Sequence, residues 1–369
     1  MLFVVSYQQL KGGVGLEKAL IAMSGGVDSS VAAYLTQAQG FLCIGAIAQL
    51  CDRSILGDSF SEQSIRDARC VAERLGMDFY VLDGVDAFKH HVVSHFISCY
   101  EQGLTPNPCI QCNRHIKFSF LLDKATELGC DCIVTGHYAQ IKQDGNTGRY
   151  LLYKALDEAK DQSYFLAPLN QHQLAHTRFP LGSFSKAQIR EIAKEQGLLT
   201  AKKKDSQDIC FVPDGDFMNF ICRYTGKAYP AGEFLDLNGA IVGTHSGAIR
   251  YTLGQRKGLG LSMGEPVYVC GKDMENNTVT VGPEKALYTS TLLAKDWNWF
   301  PFPALTEPMQ VTAKARSRHV PQPATVYPGE DGYARVVFDT PQRAVTPGQT
   351  VVLYQGDMVV GGGTITETF

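Results

Sequence analysis

The sequence predicts an α/β fold, in which a doubly wound parallel sheet is followed by a small β-rich module and a C-terminal β-barrel. Up to about residue 215, apolar runs typical of buried strands alternate with amphipathic helical stretches, the pattern of a parallel sheet covered by helices on both faces. Gly and Asn turns between short strands follow, and beyond about residue 290 short strands alternate with Pro and Gly turns, as in barrels and small sandwiches. We therefore expect domains at 1–215, 216–288 and 289–369.

Each element of the first region has its own local signal. The predicted strands are the apolar runs at 19–23, 43–48, 79–83 and 132–136. Amphipathic periodicity predicts helices at 29–39, 62–75 and 118–128, and a short helix at 216–224 opens the second region. Ligands of such sheets bind beyond the carboxyl ends of the strands, so the functional residues are expected just after these runs.

Composition indicates a folded protein of the cytoplasm. Of the 369 residues, 44% are apolar and 19% charged, ordinary values for a globular chain. No apolar run reaches the ~18 residues that span a bilayer, and the N-terminal stretch lacks a secretory pattern, so we expect no membrane association. The net charge of −3 does not indicate nucleic-acid binding by itself; a local basic patch would have to supply it.

The hexapeptide SGGVDS at 24–29 lies between a predicted strand and a predicted helix. Its glycines allow positive φ and close approach to a ligand, and its N–H groups with the helix N-terminus form an anion site. Asp28 is placed to hold a magnesium ion that bridges phosphates. A glycine turn with a serine cap is the alternative, but it explains only one or two of the residues. The motif resembles the PP-loop of the N-type ATP pyrophosphatases, which implies a Rossmann-like domain that transfers AMP to a carbonyl oxygen.

Three of the eleven cysteines stand in unusual settings. Cys109 and Cys112 follow a Pro-Asn-Pro segment, and Cys210 follows a run of lysines. Nearby cations favour the thiolate, which is both a nucleophile and a metal ligand. A structural zinc site, ordinary core packing and sulfur chemistry are the three interpretations; we favour sulfur chemistry, in which a persulfide on one thiol is resolved by a second thiol as a disulfide.

Together, the motifs resemble the tRNA-specific 2-thiouridylase family. Beyond SGGVDS they are TPNPCIQCN at 105–113, TGHYA at 135–139, KDQSY at 160–164, KDSQDICF at 204–211, YTLGQRKGLG at 251–260 and AVTPGQ at 344–349. They cover nearly the whole chain in the family's order. The resemblance implies ATP- and magnesium-dependent 2-thiolation of the wobble uridine, position 34 of tRNA, with sulfur from a persulfide donor such as a cysteine desulfurase or a sulfur-relay protein. An adenylating enzyme for a small molecule and a non-catalytic RNA-binding module are the alternatives.

The resemblance also implies residue roles. Cys112 matches the nucleophile and Cys210 the persulfide carrier. The positions that match ATP contacts are Ala22, Met23, Ser24, Gly25, Gly26, Val27, Asp28, Ser29, Ala48 and Gly136. The positions that match the pocket of the flipped base are Asn107, Pro108 and Cys109. The positions that match tRNA contacts are His137, Lys160, Asp161, Gln162, Arg316, Ser317 and Gln349.

The chain departs from the family pattern at three of these positions. Cys109 stands where many members have Asp, so Cys109, Cys112 and Cys210 could instead hold an iron–sulfur cluster with one open iron. Ala48 stands where Met is frequent, and Ser317 where Tyr is frequent. Arg316 is expected on the first strand of the barrel.

Overall fold

Three sheets organise the computed structural model, which describes residues 16–56, 62–203 and 209–369. No helix in these ranges is long and apolar enough to cross a membrane. The strands are β1 (Lys18–Ala22), β2 (Leu42–Gln49), β3 (Phe79–Asp83), β4 (Cys132–Thr135), β5 (Gln140–Gln143), β6 (Tyr150–Tyr153), β7 (Thr177–Arg178), β8 (Gly232–Leu235), β9 (Ile241–His245), β10 (Tyr268–Asp273), β11 (Thr278–Gly282), β12 (Tyr288–Trp299), β13 (Met309–Lys314), β14 (Gln322–Pro328), β15 (Ala334–Arg343), β16 (Thr350–Gln355) and β17 (Met358–Thr368).

The helices lie mostly between the strands of the first sheet. In the described ranges they are α1 (Val27–Ala38), α2 (Arg53–Leu56), α3 (Gln63–Arg74), α4 (Val85–Phe88), α5 (Ser94–Glu101), α6 (Pro108–Gln111), α7 (Leu121–Glu127), α8 (Ser163–Leu166), α9 (Gln171–Ala175), α10 (Lys186–Glu195) and α11 (Phe217–Thr225). Two π-helical segments, Lys89–Val93 and Cys112–Phe120, join α4 to α5 and α6 to α7. Short 3₁₀ turns occupy Leu199–Lys202, Ala248–Arg250 and Glu284–Leu287.

The first sheet is parallel throughout, in the order β3-β2-β1-β4-β7. Its predicted strands are confirmed to within one residue at each end. Apolar side chains of β1, β2 and β4 pack on both faces of the sheet, which explains why these three strands appear in the sequence as continuous apolar runs. The edge strand β3 is also an apolar run, although Tyr80 and Val81 are exposed. The loops that follow β1, β2 and β4 therefore share one edge, where the predicted ATP residues lie.

The barrel is closed, and a hairpin from the first region, formed by β5 and β6, extends its sheet. Neighbouring strands are hydrogen-bonded in the order β12-β15-β14-β13-β16-β17, and β12 also pairs with β17, which closes the barrel. Strands β6 and β5 extend this sheet beyond β17, with Tyr153 opposite Met358. Residues 140–153 are thus bonded to the barrel although they belong to the predicted first domain.

Between these parts lies a four-stranded sheet in the order β10-β11-β8-β9. Helix α11 precedes this sheet, as predicted. The predicted α/β class, with a parallel sheet, a central β module and a barrel, is confirmed. The position of Arg316 is not, because β12 is the first barrel strand and β13 ends at Lys314, leaving Arg316 and Ser317 in the turn after β13.

Candidate functional site

The loop between β1 and α1 forms a compact polar turn. Ser24 N–H donates to Ser29 Oγ at 3.1 Å, and the two hydroxyl oxygens lie 3.2 Å apart. Ser30 Oγ donates to the Gly26 carbonyl at 2.8 Å. The turn opens a 12-residue helix, so its free N–H groups and the helix N-terminus face the same side, where an anion is stabilised.

Two glycines let other segments press against this loop. Gly25 has φ +68°, and a Cβ there would stand 2.5 Å from the Ser64 carbonyl oxygen. A Cβ on Gly136, which follows β4, would stand 2.7 Å from Ser29 N. The loop is thus held between α3 and the end of β4, and any side chain at either glycine would displace it.

Asp28 is held by two partners from distant parts of the chain. Lys186 Nζ lies 2.7 and 2.8 Å from its two carboxylate oxygens, and Tyr138 donates its hydroxyl to Oδ1 at 2.8 Å. Among the described contacts Oδ2 accepts a single hydrogen bond, so it keeps lone pairs for a cation. The carboxylate that was predicted to hold magnesium therefore has a structural partner as well.

We expect Lys186→Met to lower the free energy of unfolding by about 2–3 kcal/mol, because it leaves the part-buried Asp28 charge unpaired. The Lys186 and Asp28 side chains are only 11% and 29% exposed. Urea unfolding measures the change. Lys194→Met, at an exposed position of the same helix, should change stability by less than about 0.5 kcal/mol. Equal effects of the two substitutions would contradict the assigned role of this ion pair.

A cavity of about 430 Å³ lies at the carboxyl edge of the parallel sheet. It joins the loop after β1, the end of β2, the start of α3, the π segment before α7 and the turn that carries Cys210. The predicted residues that line it are Ala22, Met23, Ser24, Asp28, Ser29, Ala48, Gly136, His137, Gln162 and Cys210. Gly25, Gly26 and Val27 belong to the same loop and complete its backbone. The Cys210 thiol and the loop at 24–29 therefore line the same cavity.

The two other predicted thiols lie on neighbouring structure. Asn107 caps the short helix α6 by accepting the Cys109 N–H at 3.2 Å, and Pro108 occupies its first turn. Cys112 then begins the π-helical segment; such segments are frequent at functional sites. Cys112 is buried. Cys109 and Cys210 are exposed as whole residues, but protein atoms surround their thiol groups.

The thiols influence one another. Burial raises the pKa of Cys112 to about 11, and it also raises the pKa of Cys109 and Cys210. Negative charge on Cys112 or Cys109 raises the pKa of Cys210 further. At neutral pH the three groups are therefore thiols, and a nearby cation is needed to stabilise a thiolate.

Lys117 supplies that positive charge. It lowers the pKa of each of the three thiols against the effect of burial, and its Nζ lies 3.4 Å from His137 Nε2. Because Lys can only donate, His137 accepts at Nε2 and donates from Nδ1 to Thr135 Oγ1 at 2.7 Å. Burial lowers the pKa of His137 well below its usual range, so the imidazole is neutral.

We expect Lys117→Met to slow sulfur transfer roughly tenfold near pH 7.5, since loss of the ammonium raises the thiol pKa by about one unit. The variant should need a pH about one unit higher than the wild type to reach the same rate, because less thiolate exists at any given pH. Single-turnover thiolation across pH 6.5–9.5 measures both effects. Lys124→Met, which removes an ammonium paired with Glu127 on α7, is the control, and an unchanged pH profile in Lys117→Met would refute the electrostatic role.

The described side chains do not form a binding site for a single metal ion at these thiols. Across residues 16–56, 62–203 and 209–369, no three Cys, His, Asp or Glu side chains are placed to hold one metal ion. The donor types suit an iron–sulfur cluster, whose cysteine ligands bind different iron atoms, so a cluster at Cys109, Cys112 and Cys210 stays a prediction. Residues 204–208 of the motif around Cys210 lie outside the described ranges.

The segment at 105–113, which contains Cys109, has buried polar atoms that no described group satisfies. Thr105 Oγ1 and Asn113 Oδ1 are two such atoms in the described part of the chain. Buried polar groups normally have partners, so an unsatisfied pair around Asn107, Pro108 and Cys109 is consistent with a ligand that brings its own donors. Sequence reasoning missed Thr105 and Asn113, although both belong to the TPNPCIQCN motif.

A barrel turn braces this segment. Gln349 Nε2 donates to the Thr105 carbonyl at 2.6 Å, and the Thr105 N–H donates to the Pro347 carbonyl at 3.2 Å. A Cβ on Gly348 would stand 2.9 Å from Leu104 Cβ. Gln349 therefore holds the segment of the predicted base pocket through Thr105. This structural role was not predicted from the sequence, where Gln349 was expected only to contact tRNA.

Other predicted tRNA contacts also have internal partners. Asp161 accepts from Ala155 N, Ser163 N and Ser163 Oγ at 2.8–3.2 Å. Gln162 accepts from Tyr138 N at 2.9 Å. Arg316 donates to the Leu253 carbonyl at 3.3 Å and to Thr346 Oγ1. Lys160 and Ser317 are partly exposed. Contact of these residues with tRNA stays a prediction.

Several residues that line the cavity were not predicted from the sequence. Gln49, Leu50 and Cys51 follow Ala48 at the end of β2, and Ser64 and Ile65 belong to α3. Ligands bind beyond the carboxyl ends of parallel strands, and Ala48 was already expected at the end of the second strand. Gln49, Leu50 and Cys51 could therefore have been predicted from the sequence as cavity residues. The approach of α3 has no signal in the sequence.

Three family models match consecutive parts of the chain. They are the tRNA methyl transferase HUP domain at residues 17–214, the tRNA methyl transferase PRC-barrel domain at 218–283 and the aminomethyltransferase beta-barrel domain at 289–365. The first of them alone covers more than half of the chain.

Curated relatives match over 95% of this chain. The tRNA-specific 2-thiouridylase MnmA of Acetivibrio thermocellus is 50% identical over 355 residues, 95% of this chain and 99% of the relative. That of Clostridioides difficile is 46% identical over 356 residues, again 95% of this chain and 99% of the relative. Among solved structures, the U34-tRNA thiolase NcsA from Methanococcus maripaludis with its [4Fe-4S] cluster covers 57% of this chain and 70% of its own, at 16% identity and a TM-score of 0.35. This last likeness is too weak to bear on the site.

Proposed function

The chain belongs to the tRNA-specific 2-thiouridylase family, and from that premise we propose that it replaces the 2-oxo group of uridine 34 in tRNA by sulfur at the expense of ATP. The observation that carries the proposal is the cavity of about 430 Å³ that holds both the phosphate loop and the Cys210 thiol. An adenylating enzyme needs the loop alone. A sulfur-transferring one needs a thiol within reach of the carbon that the loop activates.

In the first half-reaction, the loop at 24–29 orients ATP so that the uridine 2-oxygen attacks the α phosphate and pyrophosphate leaves. N–H groups of the loop and of the start of α1 stabilise the negative charge. Magnesium bound at Asp28 Oδ2 would neutralise phosphate charge there. The product is a uridine whose 2-oxygen is a good leaving group.

In the second half-reaction, a persulfide on Cys210 supplies the sulfur. The Cys112 thiolate attacks the Cys210 sulfur, which forms a Cys112–Cys210 disulfide and releases hydrosulfide. Hydrosulfide adds to C2 of the uridine and AMP leaves. Lys117 stabilises the thiolate, since it lowers the pKa of both thiols. The target base would lie against Asn107, Pro108 and Cys109, and a persulfide donor such as a cysteine desulfurase or a sulfur-relay protein would reload Cys210. Free thiols and a tRNA substrate fit the cytoplasm, where we expect the enzyme to act.

Pyrophosphate release with and without tRNA tests this proposal. The purified protein is given ATP, magnesium, a persulfide donor and unmodified tRNA, and 2-thiouridine is detected by retardation in mercury-containing gels. We expect release only with tRNA that carries uridine 34, and a tRNA with adenine at that position is the control. Release without tRNA would favour the small-molecule enzyme, and tight tRNA binding without release would favour the RNA-binding module.

The cluster alternative at Cys109, Cys112 and Cys210 needs a separate measurement. Iron and acid-labile sulfide per chain are determined after anaerobic purification, together with a visible absorbance spectrum. Near-stoichiometric iron that is lost in Cys109→Ala would replace the persulfide route by a cluster route. We expect iron-free protein that still thiolates tRNA, which would make Cys109 a residue of the base pocket.

A further inference from the structure

A fourth thiol, Cys51, shares the site with the three predicted ones. It follows β2 by two residues and lines the same cavity as Cys210. It also packs against the apolar cluster that contains Cys112. None of the sequence motifs includes Cys51. One cavity and one apolar cluster thus bring it near both members of the proposed disulfide.

We propose that Cys51 is a resolving thiol, which attacks the Cys112–Cys210 disulfide after sulfur transfer and frees Cys210 for the next persulfide. The inference rests on the proposed function, because that reaction creates the disulfide. While Cys210 is bonded to Cys112 it cannot accept sulfur. Attack by Cys51, which lines the same cavity as Cys210, frees Cys210 at once, and an external reductant is needed only later for the Cys51–Cys112 disulfide.

The exchange balances without an added oxidant. The Cys51 thiolate attacks Cys112 Sγ, the Cys51–Cys112 bond forms and the Cys112–Cys210 bond breaks. The electron pair of the broken bond leaves on Cys210 Sγ as a thiolate. The Cys51–Cys112 disulfide is later reduced by a dithiol of low reduction potential, which supplies two electrons and two protons.

The charge on Cys112 affects the pKa of Cys51. Burial raises the pKa of Cys51 to about 12, and negative charge on Cys112 raises it next most strongly. While Cys112 is a thiolate, Cys51 is therefore held protonated and does not compete with it for the persulfide. The Cys112 sulfur carries no charge in the disulfide, so this repulsion is absent when Cys51 attacks.

Mapping disulfides after one turnover tests the inference. Persulfide-loaded enzyme is mixed with ATP and tRNA without reductant, quenched in acid, alkylated and digested, and linked peptides are identified by mass spectrometry. We expect a Cys51–Cys112 peptide in the wild type and only Cys112–Cys210 in Cys51→Ser. With limiting dithiol, the ratio of the multiple-turnover rate to the single-turnover rate should fall several-fold in Cys51→Ser.

Two further variants show whether a lower rate ratio in Cys51→Ser comes from loss of the thiol or from altered packing. Cys51→Ala should reproduce the lower rate ratio, and Cys70→Ser, at an exposed thiol of α3, should keep the wild-type ratio. Only Cys112–Cys210 peptides in the wild type, or turnover that leaves every cysteine reduced, overturn the role of Cys51. Absence of single-turnover thiolation in the wild type would instead refute the proposed function on which it rests.

Discussion

Cys210→Ser is expected to abolish 2-thiouridine formation, by roughly 10³-fold or more, while pyrophosphate release in the presence of tRNA continues. A hydroxyl cannot carry a persulfide, and loss of a covalent nucleophile has effects of this size. The phosphate loop needs no thiol, so adenylation should survive. Retardation in mercury-containing gels and a pyrophosphate assay on the same samples separate the two half-reactions.

Cys222→Ser is the matched control for this substitution, since Cys222 lies on α11 and does not line the cavity. It should keep both activities. Thiolation by Cys210→Ser at more than a tenth of the wild-type rate would show that sulfur reaches uridine without this thiol, and the proposed second half-reaction would then be wrong.

Gly25→Ala is expected to reduce pyrophosphate release roughly 10²-fold or more in a protein that remains folded. A Cβ at this position would overlap the Ser64 carbonyl oxygen, which lies 2.5 Å away. The φ of +68° adds strain, of the order of 1–2 kcal/mol for a non-glycine residue. The loop must move, and the N–H groups that cradle the phosphates move with it, so both ATP affinity and the adenylation rate should fall.

Gly76→Ala separates strain from displacement. Gly76 has φ +65° but no atom within 4 Å of its Cβ position, so the substitution carries the same backbone strain without the clash. It should lower stability by about 1–2 kcal/mol and leave pyrophosphate release near the wild-type rate. Equal losses of activity in the two variants would mean that the close packing of the loop on α3 is unimportant for ATP.

The parts of the fold that sequence could predict are those with a local signal. The strands β1, β2 and β4 are continuous apolar runs because both faces of the sheet are covered there, and a turn motif at each end limits them. The hairpin of β5 and β6 lacks such a signal. This hairpin joins the barrel sheet through the pairing of Tyr153 in β6 with Met358 in β17. The residue pattern within each of these two strands does not predict that pairing. The π-helical geometry at Cys112–Phe120 was missed because its amphipathic pattern matches an ordinary helix.

The site divides in the same way. The loop at 24–29 and the thiols at 109, 112 and 210 were found because motifs carry them. Cys51 was not, since a cysteine after an apolar run is usually structural, and only the folded chain shows that it lines the same cavity as Cys210. Arg316 was expected on a strand as a tRNA contact. It lies in a turn, where its hydrogen bonds to Leu253 and Thr346 join the central module to the barrel, and its contact with tRNA stays a prediction.

The contact between Gln349 and Thr105 has a consequence for the order in which the protein matures. The two residues are 244 positions apart, so during synthesis the segment with Asn107, Pro108 and Cys109 leaves the ribosome long before its support exists. The loop for ATP, by contrast, has its described hydrogen-bond partners once the chain has folded as far as Lys203. A nascent chain should therefore acquire nucleotide binding first and a supported base pocket only after the barrel closes. Such an order would keep unfinished chains from modifying tRNA while they are still being translated.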